Sequence, residues 1–235
     1  MTKLSKSLVA EFIGTFALIF IGAGAAALLG PGQMAGVALA HGFTIMIFVC
    51  AFGEISGGHI NPAVTIGLCA AGRFAARDVT PYVVVQLAGA ILAAFALLAI
   101  FGAPVHNLGA TTFDLHRTTV LGGMLAEGIG TFFLVNTVAT TTATDAGSRL
   151  APFAIGMTVA VCILGFGALT GGSVNPARTI GPANASGVTS DVGYYLVAQL
   201  LGGIGAGLLY RLLWAAPAAV PRGAARHEAV ASPGR

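Results

Sequence analysis

Charged side chains are scarce in this sequence of 235 residues: Asp, Glu, Lys and Arg together make up 8%, whereas hydrophobic residues make up 56%. A soluble domain has about a quarter of its residues charged, because its surface must face water. The shortage of charge therefore excludes a soluble globular protein and places the chain in a lipid bilayer.

Cysteine is also scarce, with only Cys50, Cys69 and Cys162. An odd number of cysteines within apolar sequence predicts inert small hydrophobic residues rather than disulfides or metal ligands. The sequence contains no Ser/His/Asp, Cys/His or zinc-ligand grouping, so we expect no enzyme activity, no bound metal and no other cofactor.

Long apolar runs are what the sequence has instead. A helix crosses the hydrocarbon core, which is about 30 Å thick, with roughly 20 apolar residues. A β-barrel would show short alternating segments rather than continuous runs. We therefore predict an all-α membrane protein with six transmembrane helices, at Leu4–Leu29, Met34–Phe52, Thr80–Phe101, Thr119–Thr142, Ala151–Leu169 and Asp191–Ala215.

The basic residues indicate how the six helices are oriented. An even number of spans puts both termini on one side, and Arg117 alone falls in a loop on the other side. The positive-inside rule then predicts cytoplasmic termini in a cell (plasma) membrane, so the net charge of +3 reflects topology and not a nucleic-acid partner. We expect residues 216–235 to form a disordered cytoplasmic tail. The basic residues on the cytoplasmic side are Lys3, Lys6, Arg73, Arg77, Arg149, Arg211, Arg222, Arg226 and Arg235.

Three segments of the first half recur in the same order in the second half. Residues 11–16 match residues 127–132, residues 57–67 match residues 171–181, and residues 85–89 match residues 198–202, at offsets of 116, 114 and 113. Offsets that agree within three residues indicate an internal repeat. We predict one channel domain, residues 1–215, built from repeats at about 4–102 and 119–215. Each repeat has three spans, so the second must be inverted relative to the first.

Each repeat contains an Asn-Pro-Ala triplet between its second and third spans, formed by Asn61, Pro62 and Ala63 in the first repeat and by Asn175, Pro176 and Ala177 in the second. Asn is a favoured helix N-cap, and Pro is tolerated at the first helical position. About ten helical residues follow, which span roughly 15 Å, or half a membrane. We therefore predict two re-entrant half-helices that enter from opposite sides and meet near the middle of the bilayer.

The two asparagines are expected to act on water at that meeting point. While their side-chain oxygens cap the helices, the amide hydrogens of Asn61 and Asn175 can face the lumen, and the helix N-termini add positive potential. A passing water would accept from both amides, which interrupts a hydrogen-bonded file and opposes protons and cations. The competing interpretation is that both residues only cap helices.

Three charged residues fall at membrane depth. An unpaired Arg178 would cost roughly 2.5–3.5 kcal/mol in lipid, so we expect it to face a lumen. Glu11 and Glu127 are expected to be structural and to accept hydrogen bonds from the backbones of the re-entrant segments. A proton relay is the alternative for these two carboxyl groups. Glu54, at the end of the second span, is expected to face the cytoplasmic vestibule.

The paired triplets, an Arg three residues after the second Asn, and a Glu in the first span of each half resemble the aquaporins, or major intrinsic proteins, over residues 4–215. The resemblance implies a right-handed bundle of six helices and two half-helices, assembled as a homotetramer with one pore in each protomer. It also implies a selectivity filter at His41, Ile163, Gly172 and Arg178, similar to that of plant tonoplast intrinsic proteins. His106 resembles a loop histidine of that subgroup and is a possible extension of the filter.

The expected function is a passive channel for water, and also for ammonia or other small neutral solutes, that excludes protons and ions. A glycerol or small polyol facilitator is the first alternative. That branch of the family typically has an Asp after the filter Arg and an aromatic pair in the filter, whereas this chain has Thr179 and His41. A second alternative, from another class, is a structural membrane protein that kept the fold and lost conduction.

Overall fold

The computed structural model describes residues 1–214, and these residues fold into helices and connecting loops. The predicted tail, residues 216–235, lies outside the described residues. The α-helices are α1 (Lys3–Ala17), α2 (Gly24–Leu29), α3 (Met34–Ser56), α4 (Pro62–Ala70), α5 (Ala76–Phe101), α6 (Val120–Thr141), α7 (Asp145–Thr170), α8 (Pro176–Ser186) and α9 (Val192–Trp214). A π-helical turn, Leu18–Ala23, joins α1 to α2, and 3₁₀ turns cover Pro31–Gln33 and Val105–Gly109.

Six helical segments of the described chain are long and apolar enough to cross a membrane. The first runs from Lys3 to Leu29 through α1, the π-helical turn and α2, and the other five are α3, α5, α6, α7 and α9. The prediction of an all-α protein with six membrane spans is therefore confirmed. Several helices begin earlier or end later than the apolar runs, as α7 does at Asp145, because a helix can continue into polar sequence beyond the hydrocarbon core.

Helices α4 and α8 are the predicted half-helices. Asn61 caps α4 by accepting a hydrogen bond from the backbone N–H of Ala63 (2.8 Å), and Asn175 caps α8 through Ala177 N–H (2.9 Å) and Arg178 N–H (3.3 Å). With 9 and 11 residues, these helices are roughly 14 and 17 Å long, about half the hydrocarbon thickness. Neither can cross the membrane alone.

The N-termini of α4 and α8 meet through a reciprocal pair of hydrogen bonds. Asn61 Nδ2 donates to the carbonyl of Val174 (2.8 Å), and Asn175 Nδ2 donates to the carbonyl of Ile60 (2.9 Å). Two helices that meet at their N-termini run in opposite directions away from the contact. The structure thus has the inverted arrangement that the repeat predicted, whereas the repeat boundaries at about 4–102 and 119–215 stay a prediction.

The two halves interlock through long helix contacts, in which α3 packs against α7 and α6 packs against α9. Glycines allow the backbones to approach closely at both contacts. A Cβ atom at Gly156 would lie 2.4 Å from the carbonyl oxygen of Gly42, and one at Gly202 would lie 2.1 Å from that of Gly128. Small residues at such contacts are typical of membrane helices, whose association depends on close van der Waals packing.

Candidate functional site

A narrow cavity lies where the two half-helices meet. Its volume is about 20 Å³, which is close to the space that one water molecule needs. One part of its wall is apolar and the other part carries hydrogen-bonding side chains. The apolar part consists of Leu18, Ile45, Gly58, Val64, Leu134, Ile155, Val159 and Val174, and the polar part consists of His41, His59, Asn61, Ser173, Asn175 and Arg178.

A wide vestibule adjoins each end of this central cavity. The Glu54 vestibule, with a volume of about 580 Å³, is lined by residues that include Glu54, Arg73 and His59. The His106 vestibule, with a volume of about 600 Å³, is lined by residues that include His106 and Arg178. His59 and Arg178 each line the central cavity as well. The three cavities therefore follow one another along a single path, with the constriction in the middle.

His41, on α3, presents one free ring nitrogen at the constriction. Its Nδ1 lies 2.9 Å from the carbonyl oxygen of Val37, and because a carbonyl only accepts, Nδ1 must carry the hydrogen of this bond. In the neutral ring Nε2 is then a hydrogen-bond acceptor. Nε2 is buried and has no protein partner, and His41 lines the central cavity.

Arg178, in the first turn of α8, is the polar group on the His106 side of the cavity. The residue is 2% exposed, and its Nη1 donates to the carbonyl of Gly109 (2.7 Å). Its Nε has no hydrogen-bond partner. Among the described residues no carboxylate lies within salt-bridge distance of the guanidinium. Arg178 therefore brings to the cavity wall a positive charge that has no salt-bridge partner among the described residues.

Ile163 and Gly172, the other two residues of the predicted filter, lie next to each other. A Cβ atom at Gly172 would be 2.9 Å from Cα of Ile163, and Ile163 is fully buried. Neither belongs to the lining of the central cavity, although Gly171 lines the His106 vestibule and Ser173 lines the central cavity. The structure thus brings His41 and Arg178 together at the lumen and places Ile163 and Gly172 as a packed pair beside it.

His106 shares a vestibule with Arg178 without bonding to it. Its Nδ1 is hydrogen-bonded to the carbonyl of Ala27 (2.7 Å), at the end of the first span. The loop turns here through successive left-handed residues, from His106 to Gly109. The bond from His106 anchors this loop, and the loop in turn supplies the Gly109 carbonyl to Arg178.

Glu11 and Glu127 occupy equivalent positions beneath the two re-entrant segments, and each accepts four hydrogen bonds. Glu11 accepts from the backbone N–H groups of His59 and Ile60. Glu127 accepts from those of Ser173 and Val174. The remaining donors are the side chains of Ser56 and Gln86 for Glu11, and of Thr170 and Gln199 for Glu127.

These bonds hold backbone that is otherwise unfavourable. Ile60 and Val174 have φ values of 53° and 44°, a left-handed conformation that β-branched residues rarely adopt. Their N–H groups bond to the carboxylates at 2.6 and 2.8 Å. Because Ile60 and Val174 directly precede the two asparagines, the carboxylates fix the point where the half-helices meet.

We expect Glu127→Gln to reduce the thermal stability of the folded protein. The side-chain amide of Gln has only one oxygen that accepts hydrogen bonds. At position 127 its NH₂ group would therefore face two of the four donors that now bond to Glu127. Each buried group left unpaired costs roughly 1–3 kcal/mol. The measurement is the melting temperature of the purified protein in detergent. Glu54→Gln is the control, because Glu54 is exposed in its vestibule; equal melting temperatures for the two variants would contradict the structural role of Glu127.

Some residues of the site carried no assigned role in the sequence interpretation. His59 lines both the central cavity and a vestibule, bonds to Thr65 (3.0 Å) and packs against Phe74 and Tyr82. Its position two residues before Asn61 was the available signal. Gln86 and Gln199 recur in the repeat, and a glutamine repeated in two apolar spans could have indicated a buried polar partner.

Comparison with known proteins gives consistent results. The family model described as "Major intrinsic protein" matches residues 1–210. The chain is 38% identical to Aquaporin AqpM of Methanothermobacter thermautotrophicus, over 91% of this chain and 99% of that protein. It is 40% identical to the probable aquaporin TIP2-2 of Oryza sativa subsp. japonica, over 89% of this chain and 87% of that protein.

A solved structure also resembles the fold. The X-ray structure of the aquaglyceroporin from Plasmodium falciparum superposes with a TM-score of 0.76, covering 88% of this chain and 93% of that one. The two sequences are 22% identical, so this similarity concerns the arrangement of helices and not the solute.

Proposed function

The chain belongs to the major intrinsic protein family, and from this membership we propose how it selects its solutes. Members of the family are channels rather than enzymes, so this chain is an integral multi-pass membrane protein that forms a channel for water and small solutes. We propose that it conducts water and ammonia passively and excludes protons and ions. The observation that carries the proposal is the series of three cavities with a water-sized constriction between His59 and Arg178.

Water is proposed to cross the constriction in single file past His41, Arg178 and the two asparagines. Each asparagine uses one amide hydrogen in the reciprocal bond between the half-helices, and an NH₂ group has a second hydrogen to offer. The apolar lining residues, which include Val159 and Leu134, offer no competing partner. A water at this point accepts from both amides and cannot pass a proton along the file.

Exclusion of cations is proposed to rest on charge. The guanidinium of Arg178 and the N-termini of α4 and α8 all present positive potential to the same small cavity. A positive charge at about 4 Å raises the energy of a cation by ~4 kcal/mol at an effective dielectric constant near 20. A neutral solute of the size of water does not meet this barrier.

Ammonia is proposed as a second solute because His41 offers it an acceptor. Neutral ammonia is about as large as water and has three N–H donors, and His41 Nε2 is a buried ring nitrogen without a protein partner. The filter residues His41, Ile163, Gly172 and Arg178 also resemble those of tonoplast intrinsic proteins, a group that includes one of the relatives found. The constriction has space for about one water molecule, whereas glycerol has six heavy atoms.

Three further points remain proposals. We propose that both termini and the Glu54 vestibule lie on the cytoplasmic side of a cell membrane. The reason is the positive-inside rule, because Lys3, Lys6, Arg73 and Arg149 lie in the segments on this side. The assembly is proposed to be a homotetramer, as is typical of the family. Residues 1–215 are proposed to form one channel domain.

Solute fluxes into proteoliposomes test the choice of solutes. We expect water and ammonia to equilibrate faster than in protein-free vesicles, and glycerol at the rate of protein-free vesicles. Stopped-flow light scattering measures water and glycerol, and an entrapped pH-sensitive dye measures ammonia entry. His41→Phe keeps an aromatic ring but removes the acceptor, so the ammonia-to-water ratio should fall about tenfold, the kinetic effect of one hydrogen bond.

The alternatives give different patterns in the same vesicles. A polyol facilitator would strongly increase the rate of glycerol entry. A non-conducting structural protein would leave the rates of water, ammonia and glycerol entry at those of protein-free vesicles. An unchanged ammonia-to-water ratio in His41→Phe would contradict the role proposed for His41.

A further inference from the structure

The first span contains an irregular turn at the depth of the constriction. Residues Leu18–Ala23 form a π-helical turn, in which the N–H of Gly24 reaches back five residues to the carbonyl of Ile19. Such turns are rare and often occur at functional sites. Leu18, the first residue of this turn, lines the central cavity, so the turn lies directly behind the lumen.

Gly22 of this turn lies against the ring of His41. A Cβ atom at position 22 would be 2.6 Å from Cδ2 and 2.7 Å from Nε2 of His41, both far inside van der Waals contact. The ring is held from another side by the bond from Nδ1 to the Val37 carbonyl. Only the hydrogen of glycine leaves room for the imidazole in its present position.

The next residue, Ala23, contacts the other polar side of the constriction. Its carbonyl oxygen would lie 2.5 Å from a Cβ atom at Gly109, so the two backbones touch. Gly109 in turn accepts the hydrogen bond from Arg178 Nη1 (2.7 Å). One turn of the first span thus supports His41 directly and Arg178 through Gly109.

We propose that the π-helical turn is a positioning element of the selectivity filter, with Gly22 setting how far the His41 ring extends into the lumen. The proposal rests on the proposed function, in which His41 contacts the solute. Gly22 itself acts only through His41. A methyl group at position 22 must push the ring about 1 Å away to reach normal contact, and the cavity that His41 lines is the space into which the ring can move.

Gly22→Ala is expected to lower water permeability per folded channel roughly tenfold, the kinetic effect of about 1.4 kcal/mol on a barrier. The measurement is stopped-flow shrinkage of proteoliposomes, normalised to the amount of folded protein. Gly165→Ala is the control, because no atom lies within 4 Å of a Cβ atom at that position; its permeability should equal that of the unmodified protein.

A double-mutant cycle separates positioning from a general effect on the helix. In a His41→Ala background the ring is absent, so Gly22→Ala should change water permeability by less than about twofold. The proposal would be overturned if Gly22→Ala reduced water permeability equally in the unmodified protein and in the His41→Ala background. If Gly22→Ala fails to fold, the double variant decides: recovery of folded protein supports the contact with His41, and failure of both variants overturns it.

The same cycle distinguishes this proposal from the one on which it rests. If His41→Ala alone changes neither the water nor the ammonia permeability, the role proposed for His41 is wrong. If His41→Ala changes them and Gly22→Ala does not, only the inference about the π-helical turn is wrong.

Discussion

Arg178→Ala is expected to weaken the discrimination of the channel strongly while leaving it open to water. The substitution removes the charge and the side chain that separate the central cavity from the His106 vestibule. A barrier of ~4 kcal/mol to a nearby cation disappears with the charge. The proton leak and the urea permeability should therefore each rise by at least about tenfold. An entrapped pH dye under a clamped membrane potential measures the leak, and stopped-flow scattering measures urea.

Arg117→Ala is the matched control for this prediction. Arg117 lines the same vestibule, but it is not part of the central cavity. Its side chain is 62% exposed and pairs with Asp114 at 3.3 Å, and such exposed pairs contribute little. We expect proton and urea fluxes equal to those of the unmodified protein. The role assigned to the buried charge would be contradicted if the proton and urea fluxes rose as much in Arg117→Ala as in Arg178→Ala, or if they rose in neither variant.

Much of this architecture could be predicted from the sequence because its signals are local. Continuous apolar runs are long enough to identify the spans, and an Asn-Pro pair specifies the start of a helix through the cap and the first turn. The position of Arg178 in a membrane half-helix already implied a lumen, since an unpaired charge facing lipid is costly. The repeat then predicted that the two triplets meet.

Contacts made by backbone atoms could not be predicted in the same way. The carbonyl of Gly109 accepts from Arg178 across 69 positions of sequence, and the carbonyl of Ala27 binds His106 across 79. Every residue has a carbonyl, so no residue type marks those two. The π-helical turn at Leu18–Ala23 was hidden for a related reason, because its apolar sequence is equally suited to an ordinary helix.

The sequence could not predict how the proposed filter residues pack. Positions counted from Asn175 predict Ile163 and Gly172 as filter residues, which stays a prediction, and only the structure shows that Gly172 packs against Ile163. His59, which lines the central cavity, had no assigned role. Distance along the sequence determines the helix turn on which a residue lies, but the direction of its side chain depends on how the helices pack.

Val159→Trp is expected to close the water path. Val159 lies on α7, is 6% exposed and lines the central cavity. The volume of that cavity, about 20 Å³, is roughly that of one water, so the added indole ring occupies it completely. Val161, two residues further along the same helix, points to the outside of the bundle and is 53% exposed. Val161→Trp therefore adds the same ring to the outer surface of the helix bundle.

The osmotic shrinkage rate of proteoliposomes that contain Val159→Trp, compared with Val161→Trp at equal amounts of folded protein, tests most directly whether water passes through the central cavity. We predict that vesicles with Val159→Trp shrink at the rate of protein-free vesicles. Vesicles with Val161→Trp should shrink as fast as vesicles with the unmodified protein. Rapid shrinkage with both variants, or a rate for the unmodified protein no greater than that of protein-free vesicles, would contradict a water path between His41 and Arg178.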